Sequence, residues 1–591
     1  MEFQARVEEW LRYDRNKVTR KEVTEIWEEG NSVELRNRFG KRMSFGTAGL
    51  RATMGAGYTR INDLTVIQTT QGLAVYLIET FGKKEVVERG VVVGFDTRHN
   101  SERFAQLVAA VLIGKDIPVS LFSHYVPTPY TAYAVKKLKA IAGVMITASH
   151  NPKEDNGYKL YWCNAAQILS PHDKAISEAI VANLEPWSWS WDTSSIPTSP
   201  LISDPYADIS RAYNTELASI GSHFITNRSI PPEVVYTPMH GVGTLFVQLA
   251  MTAMSLPLFT LVPEQSEPDP DFPTVNFPNP EEGKAALDIA TKTADEKGIP
   301  LILANDPDAD RLAVAEKEPG EAWHVFSGND LGALFAWWAL KNYRHNNKTD
   351  LSNVYMVSTA VSSQIIRSMA LKEGFKFEET LTGFKWMGNK YLELTAAGND
   401  VIFVYEEAIG FMYGGIVYDK DGISASVVIR EMAAWLYEKE STLSQQLQEI
   451  YDTYGYHLSR TSYFLCYQPE TIIKIFTRLR KDGEYPKTCG SYKVLNVRDV
   501  TVGYDSSRGD KKCIHPLTPK SEMITFYLEN NCTITLRTSG TEPKIKYYGE
   551  IIKEPGIGTK DKLIEILLET LNFCTEDFLQ PKANNLIHQE K

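Results

Sequence analysis

Residues 140–159 read AIAGVMITASHNPKEDNGYK, and this stretch predicts how the first part of the chain folds. Its apolar start, residues 140–146, is short and bounded by polar residues, which is typical of a buried strand. An Asn-Pro pair and an Asn-Gly pair follow, and both are turn signals that disfavour a helix and fold the segment back on itself. The return could bring Lys159 close to Ser149, at a sheet edge where α/β proteins usually bind ligands.

Around this stretch, an apolar strand, a polar or glycine-containing loop and an amphipathic helix recur three times in that order. The strands are predicted at residues 90–95, 233–236 and 354–357. Such alternation is typical of βαβ units with largely parallel sheets. The sequence therefore predicts an α/β protein with three related α/β domains whose sheets are mainly parallel. Strand-like runs at 523–527 and 532–537, followed by a helix, predict a smaller C-terminal α+β domain.

Composition suggests where these domains end. Residues 183–206 are rich in Pro, Ser and Trp and lack periodicity, so they predict a linker or surface excursion. Softer boundaries fall near Gly320 and Tyr456. The four predicted domains span residues 1–206, which include an N-terminal helical arm, and residues 207–322, 323–456 and 457–591.

The charge balance limits the possible partners. The chain of 591 residues has 62 basic and 74 acidic side chains and a net charge of −12. This charge disfavours nucleic acid or an anionic membrane as the main partner, so an anionic substrate needs a local basic cluster. The six cysteines lack CxxC spacing and neighbouring histidines, which argues against a zinc site or a disulfide framework.

The sequence also indicates where in the cell the protein is expected. The N-terminus is charged and amphipathic, and no window reaches eighteen apolar residues, so we expect neither a targeting signal nor a membrane span. We expect a cytoplasmic protein. The sequence leaves the oligomeric state open, with a monomer favoured.

The motif DPDADR, residues 306–311, follows the apolar run 299–304 and has three carboxylates at alternate positions. In an extended loop these face the same side, where they repel one another unless a cation lies among them. Oxygen ligands without His or Cys suit Mg²⁺. An EF-hand calcium loop is excluded, because Arg311 replaces its glycine and Lys317 its final glutamate. A solvated acidic turn fits poorly with the apolar flanks, so the motif predicts a metal site.

Two further loops could bind an anion. In FGTAGLR, residues 45–51, small residues precede Arg51, although a structural loop with a surface arginine is the plainer interpretation. In RTSGTEPK, residues 537–544, a guanidinium, two hydroxyls, a glycine and an ammonium group lie within eight positions. This density of donors predicts a phosphate cradle, and an ordinary turn is the alternative.

Two more loops end predicted strands. In TGFKW, residues 382–386, Lys385 could meet a phosphate. In YEEAIG, residues 405–410, adjacent glutamates could hydrogen-bond sugar hydroxyls. Taken alone, each is better explained as an exposed loop with solvated charges.

In this order, TASHNP, DPDADR and RTSGTEPK resemble the α-D-phosphohexomutase superfamily, and the resemblance runs from residue 46 to about residue 549. Within it, the sequence is most similar to the phosphoglucomutase-2 and phosphopentomutase branch, which includes glucose-1,6-bisphosphate synthase. The resemblance implies four domains around a central cleft, each donating one loop. The first domain would carry a phosphoserine, the second a metal, the third the sugar and the fourth a phosphate.

The resemblance also implies the chemistry. Ser149 would be phosphorylated and would pass its phosphoryl group to a sugar monophosphate, with Lys159 as general acid/base beside His150 and Arg51. The pKa of Lys159 would be lowered if it is buried near Arg311. The sugar bisphosphate formed, glucose 1,6-bisphosphate or pentose 1,5-bisphosphate, would turn over and return its other phosphate to Ser149. The ligands implied for Mg²⁺ are Ser149, Asp306, Asp308 and Asp310. The residues implied to bind substrate are Arg51, Arg311, Thr382, Gly383, Lys385, Glu406, Lys420, Arg537, Ser539, Gly540, Thr541 and Lys544.

One position departs from the family pattern. Many hexose-specific members have a serine two residues after the first glutamate of the sugar loop, and this chain has Ala408 there. Loss of one hydrogen bond to a buried hydroxyl is worth about 1 kcal/mol or more, which favours a pentose phosphate. The expected activity is therefore that of a phosphopentomutase, acting on ribose or deoxyribose 1-phosphate, with phosphoglucomutase activity.

Three alternatives stay open at this point. A glucose-1,6-bisphosphate synthase that takes its phosphoryl group from 1,3-bisphosphoglycerate would share every motif. A metal-dependent phosphatase with a serine nucleophile would share Ser149 and the aspartates but would not need RTSGTEPK. A sugar-phosphate sensor could keep Arg537 and Glu406 without Ser149 or the metal, and the presence of both catalytic features disfavours it.

Overall fold

The computed structural model describes residues 2–221, 232–318, 320–346, 349–518, 521–539 and 543–588. The chain forms two compact units. The first comprises Met1–Gly328 and Gly383–Thr442, and the second comprises Asn329–Thr382 and Leu443–Lys591. None of the helices in the described ranges is long and apolar enough to span a bilayer.

The chain begins with three helices that form the predicted arm. They are α1 (Glu2–Tyr13), α2 (Lys17–Glu28) and α3 (Ser32–Phe39). Asn16 and Asn31 cap α2 and α3, because each side chain accepts a hydrogen bond from a backbone N–H of the first turn. Trp10 is fully buried and contacts Phe39 and Tyr58 edge to face, with ring centroids 5.7 and 5.2 Å away. The arm is thus held by an aromatic core.

The first sheet lies around the stretch that contains Ser149. Its elements are β1 (Leu50–Thr53), α4 (Asp63–Phe81), α5 (Lys83–Arg89), β2 (Val91–Phe95), α6 (Ser101–Ile113), β3 (Val119–Leu121), α7 (Thr128–Leu138), β4 (Ala142–Ile146), β5 (Asp155–Trp162), α8 (His172–Ala182) and β6 (Ile202–Ser203). The strand order is β1-β5-β4-β2-β3-β6. β4, β2, β3 and β6 pair in parallel, whereas β5 and β1 add antiparallel strands. The predicted buried strand and return are confirmed, since β2 and β4 are wholly buried.

The segment 183–206, predicted as a linker or surface excursion, runs along this sheet and its helices, and most of its residues are exposed or half-buried. Trp187 and Trp191 contact the hydrophobic core, and the buried Ser190 donates a hydrogen bond to Gln71 at 2.8 Å. The segment ends in β6, which pairs with β3. The tryptophans attach the segment to the first sheet, and its role as a boundary between domains stays a prediction.

The second sheet presents the aspartate motif. Its elements are α9 (Tyr206–Ser219), β7 (Val234–Thr237), α10 (Gly243–Ala253), β8 (Thr260–Leu261), α11 (Lys284–Lys297), β9 (Leu301–Ala304), β10 (Ala313–Glu316) and β11 (His324–Val325). The strand order is β11-β10-β9-β7-β8, with β9, β7 and β8 parallel and β10 and β11 antiparallel. The DPDADR loop joins β9 to β10, so it leaves the carboxyl end of a buried parallel strand.

The next elements are divided between the units. Those of the second unit are α12 (Gly328–His345, after its first residue), β12 (Val354–Thr359), α13 (Ile365–Glu373) and β13 (Lys376–Thr380). Those of the first unit are α14 (Phe384–Ala396), β14 (Asp400–Glu406), β15 (Gly410–Tyr413) and α15 (Gly422–Tyr437). The third predicted βαβ unit is present as β12, α13 and β13, since β12 and β13 pair in parallel. β14 and β15 form an antiparallel pair.

The rest of the second unit is built on an antiparallel sheet. Its elements are α16 (Leu443–Tyr454), β16 (Tyr456–Leu465), α17 (Pro469–Arg480), β17 (Thr488–Cys489), β18 (Tyr492–Asp499), β19 (Tyr504–Asp505), β20 (Met523–Leu528), β21 (Cys532–Thr538), β22 (Lys544–Lys553), α18 (Lys560–Cys574) and β23 (Ile587–His588). The order is β17-β18-β20-β21-β22-β16-β23, and β19 pairs with β18. The strands and the helix predicted here are confirmed. Short helical turns occur at Ile196–Thr198, Pro263–Gln265, Pro280–Glu282, Lys481–Gly483 and Thr575–Leu579.

Candidate active site

Ser149 lies in the loop between β4 and β5, with its side chain directed at the second sheet's aspartates. Its hydroxyl donates to Oδ2 of Asp306 at 3.1 Å and lies 3.2 Å from Nδ1 of His150. Its φ of 56° is in the left-handed region, where residues with a side chain are uncommon. Its backbone N–H donates to Oγ1 of Thr147 at 2.8 Å. The buried hydroxyl is therefore held in one direction, toward the carboxylates.

The three aspartates of DPDADR form a buried carboxylate cluster. One oxygen from each of Asp306, Asp308 and Asp310 lies within 4.8 Å of the others, and all three residues are fully buried. Oδ1 of Asp308 and Oδ1 of Asp310 have no hydrogen-bond partner among the described residues. Burial and the neighbouring Asp308 and Asp310 raise the pKa of Asp306 well above its ordinary value. Buried oxygens left without donors fit a hard divalent cation such as Mg²⁺.

The shape of this loop is fixed by its neighbours. Asn305 donates from Nδ2 to the carbonyl of Arg311 at 2.5 Å, which ties the two ends of the loop together. Gly241 lies against its middle, because a Cβ there would lie 2.3 Å from Cα of Pro307. Val242 also donates its N–H to the carbonyl of Pro307 at 2.9 Å. The loop is thus clamped by the segment that follows β7.

Lys159, on β5, contacts the same cluster. Its Nζ lies 2.6 Å from Oδ2 of Asp308 and 3.0 Å from Oδ2 of Asp310. Burial alone would lower the pKa of Lys159, but Asp308 and Asp310 outweigh burial and raise the pKa above its ordinary value. The expected lowered pKa is therefore wrong, because the nearest charges are carboxylates. Burial likewise favours a raised pKa for Asp308, and Lys159 reverses this and lowers it.

Arg311, Arg51 and His150 lie around this centre. Nη1 of Arg311 is 3.3 Å from Oε2 of Glu281, and its backbone N–H donates to Oδ1 of Asp306 at 3.0 Å. Nη1 of Arg51 donates at 3.1 Å to Oδ1 of Asn151 in the serine loop, which we define as residues 147–155. The ring of His150 packs edge to face on Phe277, with centroids 6.1 Å apart. The guanidinium groups supply the local positive charge that an anionic substrate needs.

Lys420 extends the cluster toward the predicted sugar loop. Its Nζ lies 3.4 Å from Oδ2 of Asp310 and 3.3 Å from Oδ1 of Asp419. Burial alone would lower the pKa of Lys420, but these two aspartates raise it. Asp419 also accepts hydrogen bonds from the hydroxyl of Tyr161 at 2.8 Å and from Nε2 of Gln167 at 2.7 Å.

The other sugar-loop residues of the first unit lie close by. Burial raises the pKa of Glu406 to about 7, although Lys420 opposes the change. Nζ of Lys385 donates to Oγ1 of Thr47 in the FGTAGLR loop at 2.6 Å, so these two predicted loops touch. Gly383, with a φ of 103°, precedes α14, a conformation that favours glycine.

The predicted phosphate cradle and Thr382 belong to the second unit. Arg537 and Thr538 end β21, Lys544 begins the antiparallel β22, and Ser539 donates its N–H to the carbonyl of Lys544 at 2.9 Å. Nζ of Lys544 lies 4.3 Å from the ring centroid of Tyr463. Arg537, the penultimate residue of β21, is half-buried. Gly540 and Thr541 lie outside the described residues.

The structure brings most of the predicted residues of the first unit into one network of hydrogen bonds and ion pairs. They are Ser149, His150, Lys159, Asp306, Asp308, Asp310, Arg311 and Lys420.

The residues that contact this network but were not predicted from the sequence include Thr128, Asp419 and Arg98. Thr128 donates to Oδ2 of Asp308 at 2.5 Å, Asp419 pairs with Lys420, and Arg98 binds the serine loop from below. For Arg98 a signal existed: it follows β2, the parallel neighbour of β4, and the carboxyl ends of such strands meet at one edge.

Comparison with known proteins identifies relatives along almost the whole chain. Models described as phosphoglucomutase/phosphomannomutase, alpha/beta/alpha domains I, II and III, match residues 42–186, 211–320 and 327–454. The chain is 51% identical over 590 residues to human glucose 1,6-bisphosphate synthase, covering 98% of this chain and 94% of that protein. It is 51% identical over 589 residues to human phosphopentomutase, covering 98% and 96%. Phosphoribomutase of Saccharomyces cerevisiae is 41% identical over 615 residues, covering 98% and 96%.

Solved structures share the fold at lower identity. A putative phosphomannomutase from Thermus thermophilus superposes with a TM-score of 0.65 at 22% identity, covering 91% of this chain and 99% of that one. The open form of parafusin, a phosphoglucomutase from Paramecium, gives a TM-score of 0.62 at 17% identity, covering 90% and 96%. The fold class predicted from the sequence is therefore confirmed: three α/β domains and a further β-rich domain. The sheets of the α/β domains are mixed, with antiparallel strands beside the parallel ones.

Proposed function

The chain belongs to the phosphoglucomutase/phosphomannomutase family, and we propose that it moves a phosphoryl group between two hydroxyls of one sugar. The observation that carries this proposal is the 3.1 Å contact between Oγ of Ser149 and Asp306. A buried hydroxyl that faces a cation-binding carboxylate cluster is suited to accept and donate a phosphoryl group. Ser149 would give its phosphoryl group to a sugar monophosphate, and the other phosphate of the resulting bisphosphate would return to Ser149.

The cation proposed for the cluster is Mg²⁺. Asp306, Asp308, Asp310 and a phosphate oxygen on Ser149 would hold it, and the ion when bound neutralises negative charge on the transferring group. This choice is supported by the oxygen-only donor set and by the two aspartate oxygens without a partner among the described residues.

Lys159 is proposed to move the proton. As an ammonium group, Lys159 would give a proton to Oγ of Ser149 as the O–P bond breaks and would regain one from the attacking sugar hydroxyl. Its contacts with Asp308 and Asp310, at 2.6 and 3.0 Å, orient Nζ for this role. Arg51, Arg311 and His150 would bind the reacting phosphate.

The remaining predicted residues would bind the rest of the substrate. The proposed sugar ligands are Thr382, Gly383, Glu406 and Lys420, and Lys385 would contact a phosphate. The proposed ligands of the non-reacting phosphate are Arg537, Ser539, Gly540, Thr541 and Lys544. We further propose the four domains with the boundaries predicted from the sequence, a monomer and a cytoplasmic location.

Two substrate choices have equal support from the relatives, whose names include both phosphopentomutase and glucose 1,6-bisphosphate synthase. We favour a phosphopentomutase with phosphoglucomutase activity. Ala408, which is half-buried in the sugar loop, supports this choice, because a methyl group offers no hydrogen bond to a hexose hydroxyl. Glucose 1,6-bisphosphate or pentose 1,5-bisphosphate would serve as intermediate and activator.

A comparison of substrates tests the proposal. We would measure kcat/KM with Mg²⁺ for ribose 1-phosphate, deoxyribose 1-phosphate and glucose 1-phosphate, each with and without 1,3-bisphosphoglycerate. Preference for the pentoses is the expected result. Glucose 6-phosphate as the main product would indicate a phosphoglucomutase, and bisphosphate that accumulates only with the acyl phosphate would indicate the synthase. Release of inorganic phosphate without isomerisation would instead identify a phosphatase and contradict the proposal.

A further inference from the structure

Arg98, which follows β2, packs against the loop that carries Ser149. Its side chain is 1% exposed. Nη2 donates to the carbonyls of Ser149 at 2.5 Å and Asn151 at 2.6 Å. Nη1 donates to the carbonyls of Pro152 at 2.7 Å and Asp155 at 3.2 Å. A single guanidinium group therefore binds four carbonyl groups of the serine loop.

This convergence accounts for the unusual backbone of Ser149. A left-handed conformation is strained for a residue with a side chain, so the surroundings must hold it in place. Carbonyl groups that point toward one place repel one another unless a donor lies between them. The planar fork of arginine meets several acceptors at once, whereas the single nitrogen of lysine cannot keep the same geometry. The guanidinium group of Arg98 is therefore the donor that allows these four carbonyl groups to point toward one place.

Arg98 is itself held from two sides. Its Nε lies 3.4 Å from Oδ2 of Asp96, and Oδ1 of Asp96 accepts from the hydroxyl of Ser101 at 2.6 Å. The ring of Phe272, which belongs to the segment between β8 and α11, lies 5.0 Å from Cζ of Arg98. The adjacent Asp271 lies 3.2 Å from Nζ of Lys153 in the serine loop. The segment between β8 and α11 therefore packs against both Arg98 and the serine loop.

We infer that Arg98 is a positioning residue that holds the backbone of Ser149 so that its hydroxyl meets Asp306 in every phosphoryl transfer. The inference rests on the proposed function, because it takes Ser149 as the group that carries the phosphoryl. The geometry matters for rate, since a displacement of about 1 Å at a reacting atom can cost about a hundredfold.

The test compares Arg98→Lys with Arg89→Lys. Arg89 is a matched control, because it also donates to two backbone carbonyls, those of Lys139 at 2.7 Å and Ala140 at 3.2 Å, away from the serine loop. Dephosphorylated full-length protein would be mixed with ³²P-labelled glucose 1,6-bisphosphate, and single-turnover labelling would be timed alongside kcat, KM and Tm.

We expect Arg98→Lys to slow labelling and kcat at least about tenfold, with KM within about twofold of wild type. Arg89→Lys should keep the wild-type rate. A folded Arg98→Lys protein that labels at the wild-type rate overturns the inference while the proposed function stands. Wild-type protein that takes no label at Ser149 overturns both.

A second variant decides the matter if Arg98→Lys does not fold. Phe272→Leu keeps Arg98 itself but removes the ring that packs against its guanidinium group, so the group can shift away from the four carbonyls that it binds. We expect labelling at least about threefold slower at unchanged KM and with a Tm close to wild type. A wild-type labelling rate in this variant overturns the inference.

Discussion

The hydroxyl of Ser149 lies 3.1 Å from Oδ2 of Asp306, although the two residues are 157 positions apart in the chain. Each residue follows a buried strand, β4 for Ser149 and β9 for Asp306, and each belongs to a different sheet. The candidate active site of the first unit is therefore formed where the loops of two sheets meet. Single substitutions around this contact therefore test the role of each side chain.

Asp308→Asn should weaken cation binding and turnover together. The change removes one negative charge from a buried oxygen cluster, so we expect the Mg²⁺ concentration for half-maximal activity to rise at least about tenfold. Binding of Mn²⁺ measured by electron paramagnetic resonance gives a readout that does not depend on activity. Asp295→Asn, at an aspartate paired with Lys317 at 2.7 Å, is the control and should change neither. Unaltered Mn²⁺ affinity in Asp308→Asn would show that the metal site is misassigned.

Asp419→Asn should lower kcat/KM and stability. Asp419 is fully buried beside Lys420, and removing its charge leaves the ammonium group with fewer buried partners. We expect a loss of about 2 kcal/mol in the free energy of unfolding and about a tenfold fall in kcat/KM. Asp116→Asn, in the exposed pair with Lys83, is the control, because exposed ion pairs contribute little. Wild-type kinetics and Tm in Asp419→Asn would contradict this role.

Glu550→Gln should change how stability depends on pH. Burial raises the pKa of Glu550 to about 7, although Ser363 and Gln364 donate hydrogen bonds to it. Because the unfolded pKa is about 4.3, the folded protein binds this proton more tightly. The resulting stabilisation is complete below the unfolded pKa and is lost as the pH rises through 7.

Urea denaturation at pH 5 and pH 8 measures this effect. Between these values, wild type should lose about 2 kcal/mol of unfolding free energy relative to Glu550→Gln, since glutamine cannot ionise. Parallel stability curves for the two proteins would mean that Glu550 is not held protonated by burial.

Ala408→Ser should shift substrate preference toward hexose. The added hydroxyl can hydrogen-bond a sugar hydroxyl, which is worth about 1 kcal/mol, so the ratio of kcat/KM for glucose 1-phosphate over ribose 1-phosphate should rise about fivefold. Ala397→Ser, at the exposed end of α14, should leave the ratio unchanged. An unchanged ratio in Ala408→Ser would remove the argument for a pentose preference.

Much of the fold could be predicted from the sequence, because its strands are short apolar runs that polar loops interrupt. β4 and β9 and the loops that follow them lie where their patterns predict. The alternation of Asp306, Asp308 and Asp310 also predicted one cluster, which the structure contains.

The features of the site that could not be predicted depend on contacts between distant parts of the chain. Arg98 binds a loop more than fifty positions away, and its place after β2 indicates the sheet edge but not the carbonyl groups that it binds there. The raised pKa of Lys159 follows from its distances to Asp308 and Asp310, which the sequence does not contain.

Phosphoryl labelling shows whether Ser149 is the residue that carries the phosphoryl group. Wild type and Ser149→Ala would be incubated with ³²P-labelled glucose 1,6-bisphosphate and Mg²⁺, and the labelled peptide would be identified by mass spectrometry. We expect a single labelled residue, Ser149, and neither label nor mutase activity in a folded Ser149→Ala protein. Label on another residue, or mutase activity that survives in Ser149→Ala, would contradict it.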